Sequence, residues 1–182
     1  MATSTPPDEP AAPAESGSTA TGPAPREAVV DTVTAQAEAI DEIVDLAQLR
    51  LCIFDNDLSQ GGWNSVQRAG KLGSFLRRYR NARVELIVHD TRYLEASCPR
   101  LLALQKLHAA AMTIYRTGPE ARRAMDPLVI ADGRHMLHRF HIDQPRAALA
   151  IEMPATVRPW LMRFEEIWAT GEPGLNASVL GL

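Results

Sequence analysis

At 182 residues, 46% of them hydrophobic and with a formal net charge of −3, the chain can build one ordinary core and has no overall field that recruits polyanions. No apolar stretch approaches the roughly 18 residues of a membrane span. Its only cysteines, Cys52 and Cys98, suit a reduced cytoplasmic protein better than a disulfide framework.

Residues 1–26 hold six of the thirteen prolines and no aromatic or β-branched aliphatic residue. Such a segment buries too little apolar surface to offset its ordering entropy and is expected to be disordered. It has neither the basic start nor the apolar run of a signal peptide. The expected organisation is this tail, one α/β domain over 27–170, and a flexible tail over 171–182. Without Asp8, Glu9, Glu15 and Arg26 the remaining chain carries a charge of about −1. Seventeen arginines stand against two lysines, Lys71 and Lys106.

Val29, Val33, Ala37, Ile40 and Val44 recur at helical spacing and predict an amphipathic helix over 27–48. Residues 50–54, RLCIF, read as a buried strand that runs into the polar loop DNDLSQGGWN. Asn64 or Ser65 caps the next helix, which ends in RRYR, a basic terminus favoured by the helix dipole. VELIVH (84–89) is a second strand. A helix from Thr91 follows, with Pro99 restarting it, and MTIYR (112–116) is a third strand. LVIA (128–131) and HMLHRFH (135–141) form a hairpin about Asp132-Gly133, since glycine accepts the positive φ of a tight turn. AALAI (147–151) is a sixth strand, and residues 154–169 form a last helix. Early alternation of strand and helix implies parallel strands with crossovers, so the class is α/β with a mixed sheet and flanking helices.

In such sheets ligands bind beyond the carboxyl ends of the parallel strands. Asp55 and Asp57 follow the first strand, His89 and Asp90 the second, and Arg116 the third. Trp63 and Asn64 stand in the glycine-bearing loop, where Trp63 is either a lid or a hydrophobic plug. These residues are the candidate ligand-binding set. Asx-turn bonding to loop amides is the alternative role for Asp55 and Asp57.

The order of elements, with IVH, TIYR and LVIADGRHML…RFHID…FEEIW, resembles one half-domain of the phospholipase D superfamily over roughly residues 40–168. That family carries His-x-Lys, four residues, Asp, then Gly-Ser-x-Asn. The His is the nucleophile, and the Lys and Asn hold the phosphate. With the family Asp laid on Asp132, its His falls on Met125 and its Lys on Pro127, while the Gly-Ser-x-Asn falls on His138, Arg139, Phe140 and His141. Only Asp132 and Gly133 remain, and no His-x-Lys occurs anywhere in the chain.

The resemblance therefore implies a catalytically degenerate half-domain with no turnover by the family's mechanism. His138, Arg139 and His141 join the candidate set at the phosphate-binding end, where an arginine can still grip an anion. An anionic ligand or a protein partner is expected in a regulatory or accessory role, with no catalytic residue, metal or cofactor. Since one half-domain supplies half a site, a homodimer is implied.

Two other readings compete. Asp55 and Asp57 resemble the paired-aspartate loop of haloacid-dehalogenase-like phosphatases, with Thr91 as a partner, which suggests a metal- or Asp/His-dependent phosphate-ester hydrolase using His89 or His141. Neither lysine falls at a strand end, however, and no late acidic pair suits magnesium. Arg77, Arg78, Arg80 and Arg83 offer a route to nucleic acid, but without the aromatic interleaving of single-strand binders. His135, His138 and His141 do not converge as metal ligands, because on a strand the middle one points away.

Overall fold

The computed structural model describes residue 1 and residues 22–175. The tails expected over 1–26 and 171–182 fall largely outside that range. Within it, Arg26–Val30 forms β1 and Val33–Leu46 forms α1. The helix expected over 27–48 is thus shorter, because Thr32 caps it: the Thr32 hydroxyl accepts from Ala35 N at 3.1 Å. The preceding residues instead satisfy their backbone groups by pairing antiparallel with a later strand.

β2 is Arg50–Asp55 and α2 is Val66–Arg78, opened by Ser65, whose hydroxyl accepts from Arg68 N at 3.1 Å. β3 is Arg83–Val88. The predicted third helix is two, α3 (Arg92–Ser97) and α4 (Pro99–Leu107), because Pro99 lacks the N–H that would continue the first. β4 is Met112–Arg116, β5 Leu128–Ala131, β6 His135–Arg139 and β7 Ala147–Ile151. α5 spans Pro154–Trp168, and Glu172–Pro173 adds a short β8.

The eight strands make one mixed sheet in the order β1-β7-β6-β5-β2-β3-β4-β8. β2, β3 and β4 are mutually parallel and the other pairings are antiparallel. α1, α2 and α4 cover one face, where Ile40, Ile43, Leu51, Ile53, Leu72, Leu86 and Leu137 are buried together. α5 covers the middle of the other, packing on β5 and β6 with Val157, Phe164 and Ile167 against Cys52, Phe54, Leu128 and Ile130. Burial raises the Cys52 thiol pKa and pushes that of Cys98 up to about 11, so both behave as small apolar residues. No helix of the described residues is long and apolar enough to cross a membrane.

The predicted Asp-Gly hairpin is present, with φ +55° at Asp132 and +66° at Gly133. Asp132 does more than turn the chain. Its carboxylate accepts from the backbone amides of Gln48 at 2.8 Å, Leu49 at 2.9 Å and Arg50 at 2.8 Å. One side chain thereby ties the β5–β6 turn to the entry of β2, more than eighty residues earlier. Alanine at this position loses the charged acceptor and strains the left-handed backbone, so Asp132→Ala should destabilise by about 3 kcal/mol in urea unfolding. Asp132→Asn keeps the conformation and one amide oxygen and should cost about half as much.

Candidate functional site

The sheet's directions bring distant residues to one edge. Because β6 runs in the same sense as β2, the carboxyl ends of β2, β3, β4 and β6 share that edge. Asp55, His89, Arg116 and Arg139 all lie along it, but they do not face one concavity. Alternation decides which face each uses.

Asp55 and Arg139 turn to the face covered by α1, the side on which Ile53 and Leu137 are buried. There the Arg139 guanidinium is 3% exposed, a cost that only close acceptors can offset. Its Nη1 stands 3.6 Å from Asp55 Oδ1, and its Nη2 donates to Gln60 Oε1 at 2.8 Å and to the Ile142 carbonyl. Nε donates to the Gln144 carbonyl at 3.3 Å. Arg139 thus fastens the loop after β2 to the loop after β6.

Asp55 also accepts from Asn56 N at 2.7 Å. Burial pushes its carboxyl up to about 6; the Arg139 charge and the Asn56 amide pull it down, and Asp57 adds a small upward push. The space enclosed by Gln36, Ile40, Asp55, Trp63, Pro127 and Arg139 is about 10 Å³, room for one water at most. Gln36 Oε1 and Trp63 Nε1 line it, and neither makes a well-formed hydrogen bond among the described residues. The indole N–H nonetheless sits near enough to Asp55 to favour its ionised form slightly.

Trp63 is a plug and not a lid: it is 1% exposed, with the Arg68 guanidinium 5.0 Å above its ring. Arg68 is equally buried, bonded to Asp41 at 2.8 Å, to the Ala37 carbonyl at 2.7 Å and to the Gly61 carbonyl. At Gly61, φ is +76° and an added Cβ would lie 2.9 Å from Ile40 Cδ1, so the loop closes this tightly only with glycine.

The other candidates stand elsewhere. Asp57 accepts from the amide and hydroxyl of Ser59 at 2.9 and 2.7 Å, an Asx turn. Asn64 is exposed and contributes its carbonyl to Arg100 at 3.1 Å. His89 is buried with both ring nitrogens engaged, Nε2 donating to the Ala124 carbonyl at 2.7 Å and Nδ1 accepting from the Thr117 hydroxyl at 2.6 Å. Asp90 accepts from Arg92 N at 2.9 Å and from its guanidinium; these bonds, helped by Arg122, hold its carboxyl below the usual range. Arg116 meets Glu172 at 3.3 Å in solvent.

His138 turns to the opposite face and stacks on Trp160 with ring centroids 3.6 Å apart; burial lowers its pKa. His141, beyond the strand, pairs with Asp143 at 3.3 Å in the open. His135 faces the α1 side and accepts from Glu152 N at 3.0 Å. The three histidines share no centre.

Gln36, Gln60 and Arg68 belong to the closed cluster but were not singled out from the sequence. Gln36 had a usable signal: it is a polar residue on the apolar stripe of α1, three and four positions before Ala39 and Ile40.

A family model described as "Domain of unknown function (DUF7931)" matches residues 32–179. No curated protein matches in sequence. Among solved structures, Nuc from Salmonella typhimurium, titled a phospholipase D family member, is 12% identical with a TM-score of 0.60, covering 82% of this chain and 97% of that one. NucT from Helicobacter pylori is 11% identical with a TM-score of 0.53, covering 84% of this chain and all of that one. The archaeal chromatin protein TrmBL2, titled as DNA-binding, is 16% identical with a TM-score of 0.58, covering 81% of this chain and 54% of that one. At these identities the likeness is one of fold: the fold is phospholipase D-like.

The folded-state pKa of Asp55 lies above the ordinary carboxylate value. This group therefore favours folding at low pH, and its contribution fades as pH rises through about 6. Removing Arg139 exaggerates the effect by leaving the carboxylate without a counter-charge. Arg139→Met should destabilise by about 3–5 kcal/mol near pH 8 in urea unfolding, and by visibly less near pH 5, where Asp55 is protonated. A loss independent of pH would contradict the pairing.

Proposed function

We propose that this chain, which belongs to the DUF7931 family, is a non-catalytic phospholipase D-like domain that binds anionic groups in a regulatory or accessory role. The observation that carries the non-catalytic half of the reading is the closed cavity of about 10 Å³ between Asp55, Trp63, Pro127 and Arg139, against the roughly 300–1,000 Å³ of a ligand pocket.

The positions laid on the family's nucleophile and phosphate clamp are occupied by backbone bonding. The Pro127 carbonyl accepts from Arg139 N at 2.9 Å and the Met125 carbonyl from Ile142 N at 3.0 Å. Neither side chain can attack or hold phosphorus. The same closure argues against the hydrolase reading, since Asp55 has no open space beside it and Asp57 is engaged in its turn. What the edge still offers an anion is its rim, where Arg92 and Arg116 reach into solvent and Arg122 lies near Asp90. The resemblance to a half-domain further supports a homodimer with this edge at or near its interface, which light scattering at micromolar concentration tests directly: a monomer mass would exclude it.

One observation favours a second reading. Arg77, Arg78, Arg80 and Arg83 are exposed at the other end of the sheet and make no ion pair among the described residues, and the fold-similar TrmBL2 is titled as binding DNA. Duplex-DNA anisotropy that weakens steeply with salt, and is lost when these arginines become glutamines, would support that reading over the rim.

Purified protein should leave bis-p-nitrophenyl phosphate intact with or without divalent metal. It should bind inorganic phosphate in a calorimetric titration, and Arg116→Gln with Arg122→Gln should weaken that binding about tenfold, the scale of one charge-assisted contact. Turnover above background that is lost in Asp55→Asn would reverse the reading.

A further inference from the structure

The face of the sheet opposite the closed cluster carries a groove with its own chemistry. α5 packs chiefly on β5 and β6, and β1 at the edge of the sheet stays exposed from Arg26 to Val29. The groove encloses about 520 Å³, the size of a small-molecule site. Its walls are Val29, Met136, His138, Phe140 and Trp160, with Glu27 at the rim. Val29 is 62% exposed and Phe140 45%, more open apolar surface than these residue types usually show.

We propose that this groove is a binding site for a small organic cation with an aromatic or branched aliphatic body. The aromatic wall is already assembled: Trp160 stacks on His138, and Phe140 meets His138 edge-on with centroids 5.5 Å apart. Flat rings held in place cost a ligand little ordering entropy.

Charge selects the sign of the ligand. Glu27 is the one formally charged side chain among the lining residues. Its Oε1 accepts from the Thr156 hydroxyl at 3.1 Å, which fixes the carboxylate, and its Oε2 has no partner among the described residues. His138 adds no opposing charge, because burial favours its neutral form. Aromatic faces attract cations as well, and the Arg146 guanidinium already stands 5.8 Å over the Phe140 ring. A ligand ammonium therefore seats toward Glu27, away from Arg146, with its apolar body against Trp160 and Met136. An anion would meet the carboxylate instead and be repelled.

The test uses the full chain, with benzyltrimethylammonium and the anionic toluenesulfonate as size-matched probes. The expected result is a saturable shift of the Trp160 indole N–H resonance with the cation and none with the sulfonate. Glu27→Gln should weaken the cation about fivefold, while thermal stability stays as in the parent. Phe140→Ala tests the wall separately and should also weaken it. Equal response to both probes, no saturation, or affinity unchanged by Glu27→Gln would overturn the assignment. So would a Trp160 resonance that moves on simple dilution, since a second copy of the chain would then cover the groove. Because the groove lies against β1, β7 and β6, and Arg116 of the phosphate-binding rim on β4 toward the other side of the sheet, neither result bears on the phosphate titration.

Discussion

A guanidinium buried at the end of β6 must find acceptors for its donors, and the carboxyl edge of the sheet is arranged around that need. In a low-dielectric surrounding an unsatisfied Arg139 would cost several kcal/mol. It draws on the Asp55 carboxylate, the Gln60 amide and two carbonyls of the 140–146 loop. These partners come from segments far apart in sequence, so satisfying one side chain closes two loops at once. The closure then buries Trp63, which in turn gives Arg68 a ring to lie on and leaves a space of about 10 Å³ beside Asp55.

β6 is anchored at both ends, and the two anchors differ in what they preserve. Asp132, before its start, gathers three amides at the entry of β2 and holds the hairpin in register. The structure gives that aspartate a scaffolding role. Arg139, at the other end, occupies the region where the resemblance places phosphate binding, and its donors are spent inside the protein. The likeness to Nuc and NucT, at 12% and 11% identity, is accordingly one of fold.

The fold was legible where periodicity and punctuation agreed. Ser65 as a cap, Pro99 as a restart and Asp132-Gly133 as a hairpin each act through local backbone sterics, so a single sequence reveals them. Residues 27–30 carry helical spacing, because Val29 and Val33 continue that of α1; the deciding partner, β7, lies more than 115 residues away. At the site, strand order places Asp55, His89, Arg116 and Arg139 along one edge, without a shared concavity. Which of them meet depends on pairings invisible in one sequence. His89 is diverted by Thr117 and Ala124, and Arg116 by Glu172, leaving Asp55 and Arg139 to find each other.

The claim that this edge is closed is tested most directly at the Trp63 indole N–H, which lines the small cavity beside Asp55. Its hydrogen exchange, followed by NMR near neutral pH with and without bis-p-nitrophenyl phosphate, reports whether the cluster opens. The account predicts slow exchange and a resonance that the phosphodiester does not move. Rapid exchange, or a saturable shift of that resonance with the diester, would mean that the cavity opens to substrate and that Arg139 is a gate instead of a staple.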